Sequence, residues 1–161
     1  MAADLRALLW NAADHGDTPH LPVVPLPAGL VLLPLTGDVI ATVTGGDRGD
    51  PPVDGFYELT TPIAGWARRH SHHGTVAYLH SEFFGSGGFQ AAVAWKHGDV
   101  VWGPLFTATS PGEAEDHYTV AGDHRDMAAN VLLRHLGVDR GEAFDEYAAA
   151  GLQQQRWTGD W

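Results

Sequence analysis

The sequence has no cysteine. That excludes disulfides, thiol nucleophiles, iron–sulfur clusters and zinc sites built on thiolates. Lys96 is its only lysine, one of nine basic residues set against twenty acids, and the net charge is −11. Such an acid excess repels phosphate backbones and argues against nucleic-acid binding. No apolar run reaches the roughly 18 residues that a transmembrane helix needs. The most apolar stretch, Leu21–Leu35, is interrupted by Pro22, Pro25, Pro27 and Pro34 and cannot be one helix. The N-terminus lacks a basic segment followed by an apolar one, which argues against a signal peptide and makes the cytoplasm the expected location. No cofactor fingerprint occurs and none is expected. The turn Gly85-Ser86-Gly87-Gly88 is followed neither by Lys-Ser/Thr nor by a helix, so it reads as a hairpin turn and not as a phosphate loop.

What is present points to a single domain over residues 1–161, with 44% hydrophobic residues to build a core. Residues 1–54 are its least regular part, with a Pro-rich connection and a Gly/Asp/Pro loop over 45–55 that reads as mobile. That loop contains Arg48-Gly49-Asp50, which reads as turn chemistry. The clearest fold signal runs from Thr75 to Phe106, which holds four of the six Phe and only three charged side chains. It reads as three strands, 75–84, 89–96 and 100–106, joined by short turns and therefore antiparallel. Leu5, Leu8, Leu9 and Ala12 fall at helical spacing and predict a helix over 2–13 ending at Gly16. Leu30–Leu35 and Val39–Thr44 read as a hairpin around Thr36-Gly37-Asp38. Thr61-Pro62 reads as a helix start, with Thr61 as N-cap and an end near 71–74. Further helices are expected over about 123–136, capped by Asp123, and over 141–150. The sum is an α+β fold: an antiparallel sheet of about five strands with helices packed mainly on one face.

Three segments then carry a resemblance. They are Leu59–Trp95, Asn130–Val138 and Phe144–Trp161, with Glu82, Phe83, Gly85, Gly88, Gln90, Gly137, Asp145, Glu146, Gly151, Leu152, Arg156 and Trp161 as the matching positions. Together they resemble a family of small, largely uncharacterised bacterial proteins of actinobacterial flavour. Some of its members resemble immunity proteins, which neutralise a toxin domain. The resemblance carries no catalytic residues. It implies a protein-binding, antitoxin-like inhibitor of a basic toxin or effector.

An acidic domain suits that role, because charge speeds association while buried aromatics and Arg set affinity. The expected partner-binding residues are Glu113, Glu115 and Asp116 in an acidic loop, Glu142, Asp145 and Glu146 near the last helix, and Arg156 and Trp157 in the tail. The same acid excess also serves solubility alone. The alternative is a small hydrolase or metal-binding enzyme. His80 and Glu82 share one strand face by period two and would act as base and orienter. His70, His72 and His73 lie close together in sequence and are the candidate metal ligands. A homodimer paired along an exposed sheet edge is a third expectation.

Overall fold

The computed structural model describes residues 2–15, 18, 20–46 and 50–161; of the Arg48-Gly49-Asp50 triplet, Arg48 and Gly49 lie outside the described residues, as does Gly16. The strands are β1 (Ala2–Asn11), β2 (Val24–Pro25), β3 (Leu30–Pro34), β4 (Val76–Phe84), β5 (Gly87–Lys96), β6 (Asp99–Ala108) and β7 (Thr119–Val120). The helices are α1 (Gly37–Thr44), α2 (Thr61–His70), α3 (Ala128–His135) and α4 (Glu146–Ala149). One open sheet has the order β2-β3-β1-β4-β5-β6-β7. All its pairs are antiparallel except β6 with β7, so the α+β fold is built on a mixed sheet of seven strands, two of them only two residues long.

The central hairpins follow the expected order. β4 and β5 pair from Val76↔Trp95 to Phe84↔Gly87, so the glycine turn is tighter than the sequence suggests and only Gly85 and Ser86 lie outside the ladder. Gly88 lies inside β5 because of a close approach: a Cβ there would overlap the carbonyl oxygen of Glu82. The β5–β6 turn places His97 and Gly98 both at positive φ, the geometry of a two-residue hairpin turn.

β1 corrects the expected first helix. Leu5, Ala7 and Leu9 belong to one core cluster and Leu8 and Trp10 to another, on the opposite side of the sheet. A strand covered on both faces is apolar at nearly every position, and over a short stretch that run also satisfies helical spacing. α1 is the converse correction. Val39, Ile40 and Val43 favour a strand by propensity, but the Thr36 hydroxyl accepts the Val39 N–H at 3.3 Å as an N-cap, and Gly45 ends the helix at a φ of 74°. In α2 the N-cap is Thr60, one residue before the expected Thr61. The helix expected over 123–136 is split: Asp123 caps a 3₁₀ turn, His124–Asp126, and extended Met127 separates it from α3. The helix expected over 141–150 is reduced to α4, capped by Asp145.

Helices cover both faces of the sheet, not mainly one. Leu132 and Leu133 of α3 pack with Leu5, Leu9, Leu79 and Ala92, while Val39 of α1 and Ile63 and Ala67 of α2 pack with Leu8, Tyr78, Val93 and Trp95. β1, at Ala2–Asn11, lies between β3 and β4 inside the sheet, so this N-terminal segment is integral to the fold. Pro52 bridges Thr60, and Phe56 is buried in the core, so the end of the 45–55 loop is tied to the body. Among the described residues, no helix is long and apolar enough to cross a membrane.

Candidate functional site

Antiparallel pairing of β1 with β4 sets Asp4 opposite Glu82 and Arg6 opposite His80. Residues paired in this way share a sheet face, so these four side chains form one polar patch beside the α1/α2 layer. His80 Nε2 lies 3.3 Å from Glu82 Oε2 and 3.4 Å from Asp4 Oδ1. The Arg6 guanidinium approaches the same Asp4 oxygen at 3.7 Å and reaches Glu58 at 3.3 Å. The His80 ring is 2% exposed and meets Phe89 edge-on at 5.4 Å. The Asp4 carboxyl is held below its usual range first by the His80 ring and then, against the effect of burial, by Arg6.

Residues 156–158 pair with the edge of β1 beside this patch. The Asp4 N–H donates to the Arg156 carbonyl at 2.9 Å, the Arg6 N–H donates to the Thr158 hydroxyl at 3.0 Å, and that hydroxyl donates to the Asp4 carbonyl at 3.0 Å. These contacts hold the β1 backbone at Asp4 and Arg6 in place beside β4. The sequence reading pairs His80 with Glu82 and misses Asp4. Reading 2–11 as a strand would have put Asp4 and Arg6 on one face by period two.

The histidine triplet does not converge. His72 and His73 are exposed, and the His70 and His73 rings are 6.1 Å apart. His70 stacks on Trp66 at 4.6 Å and on His15 at 4.5 Å, and meets Trp10 edge-on at 4.8 Å. Burial, with the nearby His15 and His73, holds its pKa down to about 4. Its role is packing. The one group of three ligand-type residues that converges among the described residues is Asp4, His80 and Glu82.

The expected partner-facing acids divide. Glu113, Glu115, Asp116 and Glu142 are exposed. Asp145 and Glu146 are not: both are buried, contrary to the expectation that they meet a partner. Asp145 caps α4 by accepting the Ala148 N–H at 2.8 Å and accepts the Asn130 amide at 3.2 Å. Glu146 is held by Arg134 at 3.1 Å and Arg125 at 3.6 Å. Arg156 and Trp157 retain exposed side chains on the docked tail, Trp157 at 45%.

The acidic loop is fixed to the body. The Tyr57 hydroxyl accepts the Glu115 N–H at 3.0 Å, His117 Nε2 meets the Gly55 carbonyl at 2.8 Å, and Tyr118 stacks on Tyr57 at 5.5 Å. Burial pushes the Tyr118 hydroxyl pKa up, and Tyr57, Glu115 and Glu82 push it further. The loop and the His80 patch are therefore electrostatic neighbours. Gln90 does not meet Glu82 across the hairpin; it pairs with Ser81 on the opposite face, where α3 packs.

No protein-family model matches the chain, and no curated protein and no solved structure is significantly similar to it.

Proposed function

We propose that this chain is a cytoplasmic protein-binding domain that neutralises a basic toxin or effector, in the manner of an immunity protein. The observation that supports this reading is the anchored acidic loop, whose exposed Glu113, Glu115 and Asp116 are held out by Tyr57, Tyr118 and the Gly55 carbonyl. A net charge of −11 steers a basic partner toward the domain. A loop already ordered before contact loses less entropy on binding. Glu142, Arg156 and Trp157 extend the surface beyond the loop.

The test is affinity capture of the full chain from its own cells, followed by purification of the captured protein and kinetics of the reconstituted pair. A stoichiometric basic partner whose association slows with salt is expected. A partner whose rate ignores both salt and the loop acids overturns the reading.

A second reading, a small His/Glu-dependent hydrolase, is favoured by one observation: His80 lies within 3.4 Å of two carboxylates in a half-open patch. It requires a pH-dependent activity that His80→Gln abolishes.

A further inference from the structure

The contacts around His80 are long for charge-assisted hydrogen bonds and poorly directed. A charge-assisted N–H···O contact is about 2.7–2.9 Å. Here the two carboxylate oxygens stand 3.4 and 3.3 Å from one nitrogen. Neither His80 Nε2 nor Asp4 Oδ1 makes a hydrogen bond of acceptable geometry, and both atoms are buried. One N–H cannot serve two carboxylates fully. A cation shared by all three can.

The spacing matches that alternative. Ligand atoms about 2.0–2.1 Å from a tetrahedral metal ion stand about 3.3–3.4 Å from each other. That is the separation on both sides of the His80 nitrogen, and all three ligand atoms lie within 4.8 Å of one another. The charges also match, because two carboxylates and a neutral imidazole neutralise a divalent ion. A nitrogen donor disfavours calcium and magnesium, which take oxygen ligands, and favours first-row transition ions. The carboxylates are 29% and 22% exposed above a buried ring, so a water molecule can reach the remaining position from the solvent side. The Arg6 guanidinium stands 3.7 Å from the same Asp4 oxygen, beyond hydrogen-bond distance and outside the ligand set.

We propose that Asp4, His80 through Nε2, and Glu82 form a binding site for one divalent first-row metal ion, zinc by preference, with water completing a tetrahedral shell. The site is independent of the inhibitor reading and lies on side chains other than the loop acids. It would also supply the hydrolase reading with a bound, acidified water.

The test uses the untagged full chain, dialysed against zinc chloride and analysed for bound metal, and titrated separately with cobalt chloride while visible absorption is followed. The wild-type protein is expected to retain one equivalent of zinc and to give a cobalt ligand-field band. Asp4→Asn and Glu82→Gln keep the shape of each side chain, and each is expected to weaken zinc binding at least about tenfold while circular dichroism stays unchanged. His72→Ala and His73→Ala are expected to leave binding as it is. The proposal is overturned if the wild type retains no zinc in excess metal. It is equally overturned if both carboxylate variants bind as the wild type does, or if binding is lost in the His72 or His73 variants instead.

Discussion

Gln90 Oε1 accepts the backbone N–H of Ala129 at 2.8 Å, joining the middle of the sheet to the first turn of α3. Thr107 on β6 accepts the neighbouring Ala128 N–H at 2.9 Å. α3 has no side-chain cap of its own at Met127, and two strand residues satisfy two of the free N–H groups of its first turn. Gln90 is itself fixed by donating to the Ser81 hydroxyl at 3.1 Å. Replacing Gln90 with Ala leaves those buried partners unsatisfied and should cost about 1–3 kcal/mol of stability. Denaturant unfolding measures it, and a change within error would mean that water replaces the amide.

Two glycines of the same hairpin should respond differently. At Gly88 a Cβ meets the Glu82 backbone, which cannot move without breaking the ladder, so Gly88→Ala should cost several kcal/mol, roughly the range for overpacking and backbone strain combined. At Gly85 nothing lies within 4 Å, but φ is +64°, and Gly85→Ala should cost only about 1 kcal/mol. Thermal melts of the two variants side by side give the comparison. Equal losses would refute the close-approach account of Gly88.

Acidification should destabilise the domain through His70. Its folded pKa of about 4 lies below the ordinary 6.5, so between these values the unfolded chain binds more protons. The stability contributed by the neutral ring is complete above pH 6.5 and is lost as the pH falls toward 4. His15, in the same stack, is shifted the same way by burial. The ring is only half buried, so roughly 1 kcal/mol is expected after allowance for solvent screening. His70→Phe preserves the stacking and should flatten the stability profile over that window. An unchanged slope would assign it to other groups.

Glu146 predicts a coupling. Its carboxylate is buried between Arg134 and Arg125; burial alone would raise its pKa, but its own backbone N–H and then Arg134 and Arg125 outweigh that and hold it below the usual range. Arg134→Met leaves a buried carboxylate with one weaker partner at 3.6 Å and should cost about 2 kcal/mol. The double variant with Glu146→Met should lose less than the two single losses combined, because both charges leave together. Strict additivity would show that the pair acts independently.

Neutralising the loop acids should act on binding and not on folding. Glu113→Gln, Glu115→Gln and Asp116→Asn together remove exposed charges while keeping the Tyr57 contact, which uses the Glu115 backbone. The melting temperature should stay constant, and association with a basic partner should slow by about tenfold at low salt. Unchanged association kinetics would remove the loop from the interface.

The legible parts of the fold were those governed by local signals. The β4–β5–β6 meander was marked by short turns and dense aromatics, α2 by its Thr-Pro start, and the stop of α3 by Gly137 at a φ of 90°. β1 and α1 depart from the sequence reading in opposite directions, β1 because both its faces are buried and α1 because local capping outweighs strand propensity. Apart from Arg6, Leu5–Trp10 is apolar on two faces because both are covered, and Val39–Val43, rich in β-branched residues, is helical between the Thr36 cap and the Gly45 stop. At the site, His80 and Glu82 were readable by period two, whereas Asp4 depended on the identity of β1.

The sequence by itself determined the chemistry available: no thiol, a strong acid excess, a helix start marked by Thr61-Pro62, and His80 and Glu82 on one side of a strand. Only the tertiary structure decided which groups meet. Strand pairing across distant segments brought Asp4 to His80, and residues 156–158 bind the β1 backbone on its other edge. It also buried Asp145 and Glu146, which look free in the sequence, and left Glu113, Glu115 and Asp116 at the surface. The reason is range: capping and turn preferences act over a few residues, while burial and charge convergence are properties of pairs whose contact depends on the whole sheet order.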